Sequence, residues 1–159
     1  MQITIRPLQE TDSQTSYIWR GDADIWQYTG SIPNHAITYE MELDWIKQVL
    51  ARPDEARFAI CVGEDKRYIG NIQLTGITAI DAELHVFIGV KSLHNKGIAT
   101  AAAKLLLDYA QQDLQLQSVY LYVNAQHLAA IRTYTKCGFV VTEEQASPNQ
   151  LKMEKKLTP

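Results

Sequence analysis

Apolar and polar positions alternate with period two over residues 82–90. Leu84, Val86, Ile88 and Val90 fall on one side, and Glu83, His85, Phe87 and Gly89 on the other. That is the pattern of a strand. After a polar turn the period changes: Ile98, Ala102, Leu105, Leu106 and Tyr109 recur at helical spacing. The spacing predicts a helix over residues 98–110 with those five as its core stripe. Alternation returns at 118–123, where Val119, Leu121 and Val123 interleave with Tyr120 and Tyr122. A short helix then ends near Cys137-Gly138, and residues 139–142 and 151–157 supply two more strands around Ser147-Pro148-Asn149.

Upstream, residues 3–6 alternate and meet Pro7, a short first strand. Asp12 or Ser13 is placed to cap a helix whose apolar side is Tyr17, Ile18 and Trp19. A second helix begins near Thr38, with Met41, Trp45 and Val49 one turn apart, and ends at Arg52-Pro53-Asp54. Strands follow at 58–62 and 68–74, joined by a hairpin turn from Gly63, with Ile72 and Leu74 sharing a side. The order is strand, two helices, three strands, helix, strand, helix, two strands. It is mixed α/β without strict alternation, which disfavours a doubly wound parallel sheet.

The chain has 159 residues, 46% of them hydrophobic, and a net charge of −3. Such a length suits one domain spanning 1–159. The charge gives no reason to expect nucleic acid. No apolar run approaches the ~20 residues that span a bilayer, and the first residues lack the shape of a signal peptide. Cys61 and Cys137 are too few for a disulfide framework and sit in apolar or helical surroundings, so buried reduced thiols are expected. A cytoplasmic protein, monomeric or a homodimer, is the expectation.

Candidate chemistry gathers in the turn before the main helix. The first N–H groups of a helix lack internal partners and sit at the positive end of its dipole, so they suit a phosphate. Between Glu83 and Asp108 there is no acidic residue, while Lys91, Lys96 and Lys104 are present. Gly97 lets the backbone approach a ligand. Neither the P-loop pattern nor the dinucleotide fingerprint is present. Many turns of this kind bind nothing, so the turn alone leaves both readings open.

His94-Asn95-Lys96-Gly97-Ile98-Ala99 resembles the [QR]-x-x-G-x-[GA] pyrophosphate loop of the GNAT N-acetyltransferase superfamily. Ala82-Glu83-Leu84 resembles the start of that family's fourth strand. Residues 130–139, from Ala130 through Tyr134 to Phe139, resemble its A-x-x-x-Y-x-K-x-G-F segment. His94 stands where Gln or Arg is usual, and His127 where an Asn commonly contacts the cofactor. The branch it looks most like holds ribosomal-protein N-terminal, amino-sugar and small-amine acetyltransferases. The resemblance implies the GNAT fold: a mixed, mainly antiparallel sheet with splayed fourth and fifth strands and helices on both faces. It implies acetyl-CoA as acyl donor, no metal, and a primary amine as acceptor: a protein N-terminus, an amino sugar or a small amine. Its cofactor positions map to Ile88, Gly89, Val90, His94, Asn95, Lys96, Gly97, Ile98, Ala99, Thr100, Asn124 and His127.

Acetyl transfer must deprotonate an ammonium, stabilise a developing oxyanion and release a thiolate. Held together, the two substrates need no covalent enzyme intermediate. Amides around Ile88 to Val90 are the candidates for the oxygen, with Gly89 expected to mark a bulge. Tyr134 is the candidate partner of the leaving sulfur, a role the matched motif implies. Glu83 is the first candidate base, acting through water, and His85 is its rival on the same strand face. Asp22, Asp24 and His35 are weaker candidates facing the acceptor. A sensor that binds acyl-CoA without turnover, and transfer of a longer acyl group, are the alternatives.

Overall fold

A computed structural model describes residues 1–22 and 37–157. Asp24 and His35 lie outside the described residues. The elements are β1 (Ile3–Pro7), α1 (Ser13–Trp19), α2 (Tyr39–Leu50), β2 (Ala56–Val62), β3 (Arg67–Thr75), β4 (Asp81–Ile88), α3 (Ile98–Gln112), β5 (Ser118–Asn124), α4 (Leu128–Lys136), β6 (Val140–Ser147) and β7 (Gln150–Lys156). This is the order the periodicity predicts. The strands form one sheet in the order β1-β2-β3-β4-β5-β7-β6. Every neighbouring pair is antiparallel except β4–β5.

β2 shows how the sheet is covered on both sides. Ile60 and Val62 join the large core with Ile98, Ala102 and Leu106 of α3, whereas Ala59 and Cys61 join Leu8 and Ile46 of α2. Cys61 and Cys137 are unpaired and buried, and burial raises both thiol pKa values. No described helix is long and apolar enough to cross a membrane.

Three helix faces differ from expectation. In α3, Leu105 is exposed, and Ala103, Leu107 and Ala110 are buried beside Ile98, Ala102 and Leu106. The stripe is wide and centred one residue away, because small alanines let the helix lie close to the sheet. In α2, Thr38 caps the first turn by accepting the Met41 N–H at 3.2 Å. Its buried positions are Glu42, Ile46 and Val49, while Met41 is exposed. A glutamate can take that place because Arg20 meets its carboxylate at 2.8 Å. In α1, Ser13, Ser16 and Trp19 are buried and Ile18 is exposed. Asp12 does not cap α1 through its side chain. Its carboxylate accepts the Arg6 fork at 2.8 and 2.9 Å and the Gln9 N–H at 2.8 Å.

Candidate active site

β4 and β5 pair only from Asp81/Ser118 to Glu83/Tyr120. β5 then runs on to Asn124 beside β7, while β4 continues to Ile88 beside β3. The strands part, and a cavity of about 860 Å³ opens between them. Leu84, Val86 and Ile88 line one side, Val123 and Tyr134 the other, and the start of α3 closes one end.

That end is built by two left-handed residues. Asn95 has φ 60° and Gly97 φ 79°, which turns the chain abruptly into α3. The first intrahelical bond is Ala101 N–H to Gly97 O, 3.1 Å. The N–H groups of Ile98, Ala99 and Thr100 therefore have no carbonyl one turn back, and Gly97 offers no side chain to cap them. An imagined Cβ on Gly97 meets nothing within 4 Å, so the approach is open. His94, Asn95, Gly97, Ile98, Ala99 and Thr100 line the cavity. Lys96 is exposed outside that lining, and Lys91 pairs with Asp22 at 2.9 Å. The His94 Nε2 lies 2.9 Å from the Ile88 carbonyl, which ties the loop to the end of β4.

The end of β4 differs from the predicted bulge. The β3–β4 register is unbroken from Thr75/Glu83 to Gly70/Ile88. The Gly89 N–H then extends the ladder by donating to Ile69 O at 2.8 Å. Alternate amides face opposite edges of a strand, so the Ile88 N–H points toward β5, into the gap. Glycine is required at 89 for another reason: a Cβ there would lie 2.0 Å from the Trp19 indole.

Tyr134, on α4, is 8% exposed and packs edge-on to Phe139 at 5.9 Å. Burial raises its pKa, so the phenol stays protonated and able to donate a hydrogen bond. One turn on, the Cys137 thiol donates to Thr100 O at 3.7 Å, joining α4 to the first turn of α3. Asn124 and His127 line the cavity on the lip opposite His94. The Asn124 side-chain oxygen accepts the Gln126 N–H at 2.8 Å and so closes the β5–α4 turn. Burial lowers the His127 pKa, and His94 nearby adds to the effect.

Glu83 and His85, rivals in sequence, form one unit. The His85 Nε2 is 3.2 Å from a Glu83 carboxylate oxygen and 3.1 Å from the Thr75 hydroxyl. The Thr75 hydroxyl can donate to Nε2 or accept from it, so its role and the ring's tautomer are linked. Burial lowers the His85 pKa, Glu83 opposes, and Arg57 adds to the lowering. His85 lines the cavity, whereas Glu83 stands behind it.

Residues the sequence reading missed complete this end: Arg57, Asn71 and Gln73. They alternate with apolar neighbours on β2 and β3, which was the available signal. Above them lie Trp19 and Trp45. The Trp19 ring is 4.8 Å from that of Tyr68 and 5.8 Å from that of Phe87. Among the described residues no group of three His, Cys, Asp or Glu is placed to hold a metal ion.

The chain matches the acetyltransferase (GNAT) domain family over residues 2–140. It is 32% identical over 146 residues to spermidine N(1)-acetyltransferase of Escherichia coli K12, covering 89% of this chain and 75% of that one. Its fold superposes on Vibrio cholerae spermidine N-acetyltransferase, crystallised with CoA and spermine, at TM-score 0.82. Identity there is 24%, over 98% of this chain and 95% of the other. A domain from Methanocaldococcus jannaschii also gives TM-score 0.82, at 19% identity over 98% and 99% of the two chains. Two of these three relatives are named as spermidine acetyltransferases, and none is named for ribosomal proteins or amino sugars.

Proposed function

The chain belongs to the GNAT family and is an acetyl-CoA-dependent N-acetyltransferase; from that premise we propose that it passes the acetyl group directly to the primary amine of a small molecule. One observation carries this reading: the cavity between the parted strands joins uncapped amides at the α3 start to Tyr134 and His85.

The N–H groups of residues 98–100 grip the diphosphate of coenzyme A, and the pantetheine arm follows the gap. The Ile88 N–H meets the negative charge that builds on the thioester oxygen. The free ring nitrogen of His85 takes the proton of the incoming ammonium, and Glu83 beside the ring stabilises the imidazolium that forms. Tyr134 donates a hydrogen bond to the departing sulfur. Its raised pKa makes it a poor acid in isolation, so its role is to stabilise the thiolate as it forms. Buried, unpaired cysteines fit a reducing compartment, the cytoplasm.

Calorimetry with coenzyme A and thiol release with an amine panel test this together. At about 100 times Kd a ligand adds about 2.7 kcal/mol, roughly 5–10 °C in Tm for a chain of this length. No shift at millimolar coenzyme A overturns the donor site. A shift without thiol release from any amine favours a sensor instead.

A further inference from the structure

The acceptor end of the cavity is polarised. Register sets Arg57 of β2 opposite Gln73 of β3, and Gln73 opposite His85 of β4. Residues paired across a ladder share a face. Guanidinium, carboxamide and imidazole thus form a row across three strands, and strand spacings near 4.8 Å put its ends about 10 Å apart at the backbone. All three line the cavity.

The Arg57 end is positive. Glu55 accepts from Arg57 Nε and Nη2 at 2.9 and 2.7 Å, and its other oxygen accepts from Arg52 at 3.1 Å. One carboxylate thus serves two guanidiniums, and Arg57 Nη1 is not among the atoms Glu55 holds. Burial works against the Glu55 charge, but the two arginines outweigh it and lower its pKa. Trp45 stacks over this end, its ring 5.1 Å from Arg57 Cζ and 4.2 Å from Arg20 Cζ. The His85 end is negative, because Glu83 stands beside a ring that burial keeps neutral at pH 7.

The further ammonium groups of a polyamine are held most strongly by carboxylates. The cavity-lining Glu42 is already matched by Arg20. Residues 23–36 contain a single acid, Asp24. The arrangement suits a different acceptor.

We propose that the acceptor is a small amine bearing an oxyanion, a carboxylate or phosphate ester, which binds at Arg57 beneath Trp45 while its amine lies at His85, with Glu83 behind the ring. This rests on the acetyltransferase reading above and names its substrate class. A guanidinium fork matches either oxyanion, and Gln73 lies midway as a neutral hydrogen-bonding partner.

The test compares kcat/KM for ε-aminohexanoate, phosphoethanolamine, n-hexylamine and spermidine, with coenzyme A binding measured in parallel. At least one of the two anionic amines is expected to exceed both hexylamine and spermidine by about tenfold or more. Arg57→Gln should remove that advantage, read within the variant as the ratio of kcat/KM for the anionic amines to that for hexylamine, because Arg57 also acts on the His85 pKa. Should Arg57→Gln fold poorly, Gln73→Glu keeps the Arg57 ion pairs and should reverse the order in favour of spermidine. Spermidine ahead in the wild type, or anionic amines no better than hexylamine, overturns the proposal. So does their failure to react in protein that binds coenzyme A. Failure to bind coenzyme A overturns the acetyltransferase reading instead.

Discussion

Gly89→Ala isolates a contact on which the acceptor wall depends. The added Cβ would lie 2.0, 2.3 and 2.5 Å from Cδ2, Cε2 and Cε3 of Trp19, where ordinary contact begins at 3.4 Å. The indole therefore has to retreat by the difference, 1.4 Å, at its nearest atom. It has little room, being 7% exposed and held between Tyr68 and Phe87. Overpacking of this kind costs about 1–3 kcal/mol. A chain of this length loses about 2–4 °C per kcal/mol, so Tm should fall by about 2–12 °C. Trp19 walls the acceptor end and not the α3 loop, so kcat/KM for the amine should fall while coenzyme A affinity holds. Calorimetry on Gly89→Ala, Trp19→Leu and the double variant gives the coupling, expected at about 0.5–3 kcal/mol. An alanine variant as stable as wild type, or a strictly additive double variant, would refute the close approach of ring and backbone.

Tyr134→Phe should lower kcat by about 10²-fold with coenzyme A binding retained; unchanged turnover in a thiol-release assay removes the phenol from the mechanism. His85 must be neutral to accept a proton, and burial moves its pKa below the ordinary 6.5, so the acid limb of kcat/KM should lie below that pH. The same limb should vanish in His85→Gln, and its persistence there would assign it to another group. Gly97→Ala forces a Cβ onto a φ of 79° without any steric contact. A loss of about 1–2 kcal/mol is expected from conformation alone, with Gly97→Asn losing less; an alanine variant of wild-type Tm contradicts it.

Periodicity located the elements because burial on a sheet or helix repeats with the local geometry. β4 is the clearest case: its two faces separate as Leu84, Val86 and Ile88 against Glu83, His85 and Phe87. What depends on partners far along the chain was not legible. Glu42 occupies a core position only because Arg20 reaches it, and no pattern within α2 signals that. Gly89 read as a bulge, because a strand glycine gives no hint of an indole arriving from α1. Glu83 and His85 could be placed on one face by counting, but the 3.2 Å approach of Nε2 to the carboxylate needs the rotamers. The row from Arg57 to His85 needed the register of three strands. The turn before α3 was legible because its left-handed residues and uncapped amides are local features.

Amide hydrogen exchange, measured residue by residue with and without coenzyme A, tests whether the donor seats on the backbone at the start of α3 and the end of β4. Slowed exchange at Ile98, Ala99, Thr100 and Ile88, with β1 and β2 unaffected, is the expected result. Coenzyme A that binds yet leaves those four amides exchanging as before would contradict it.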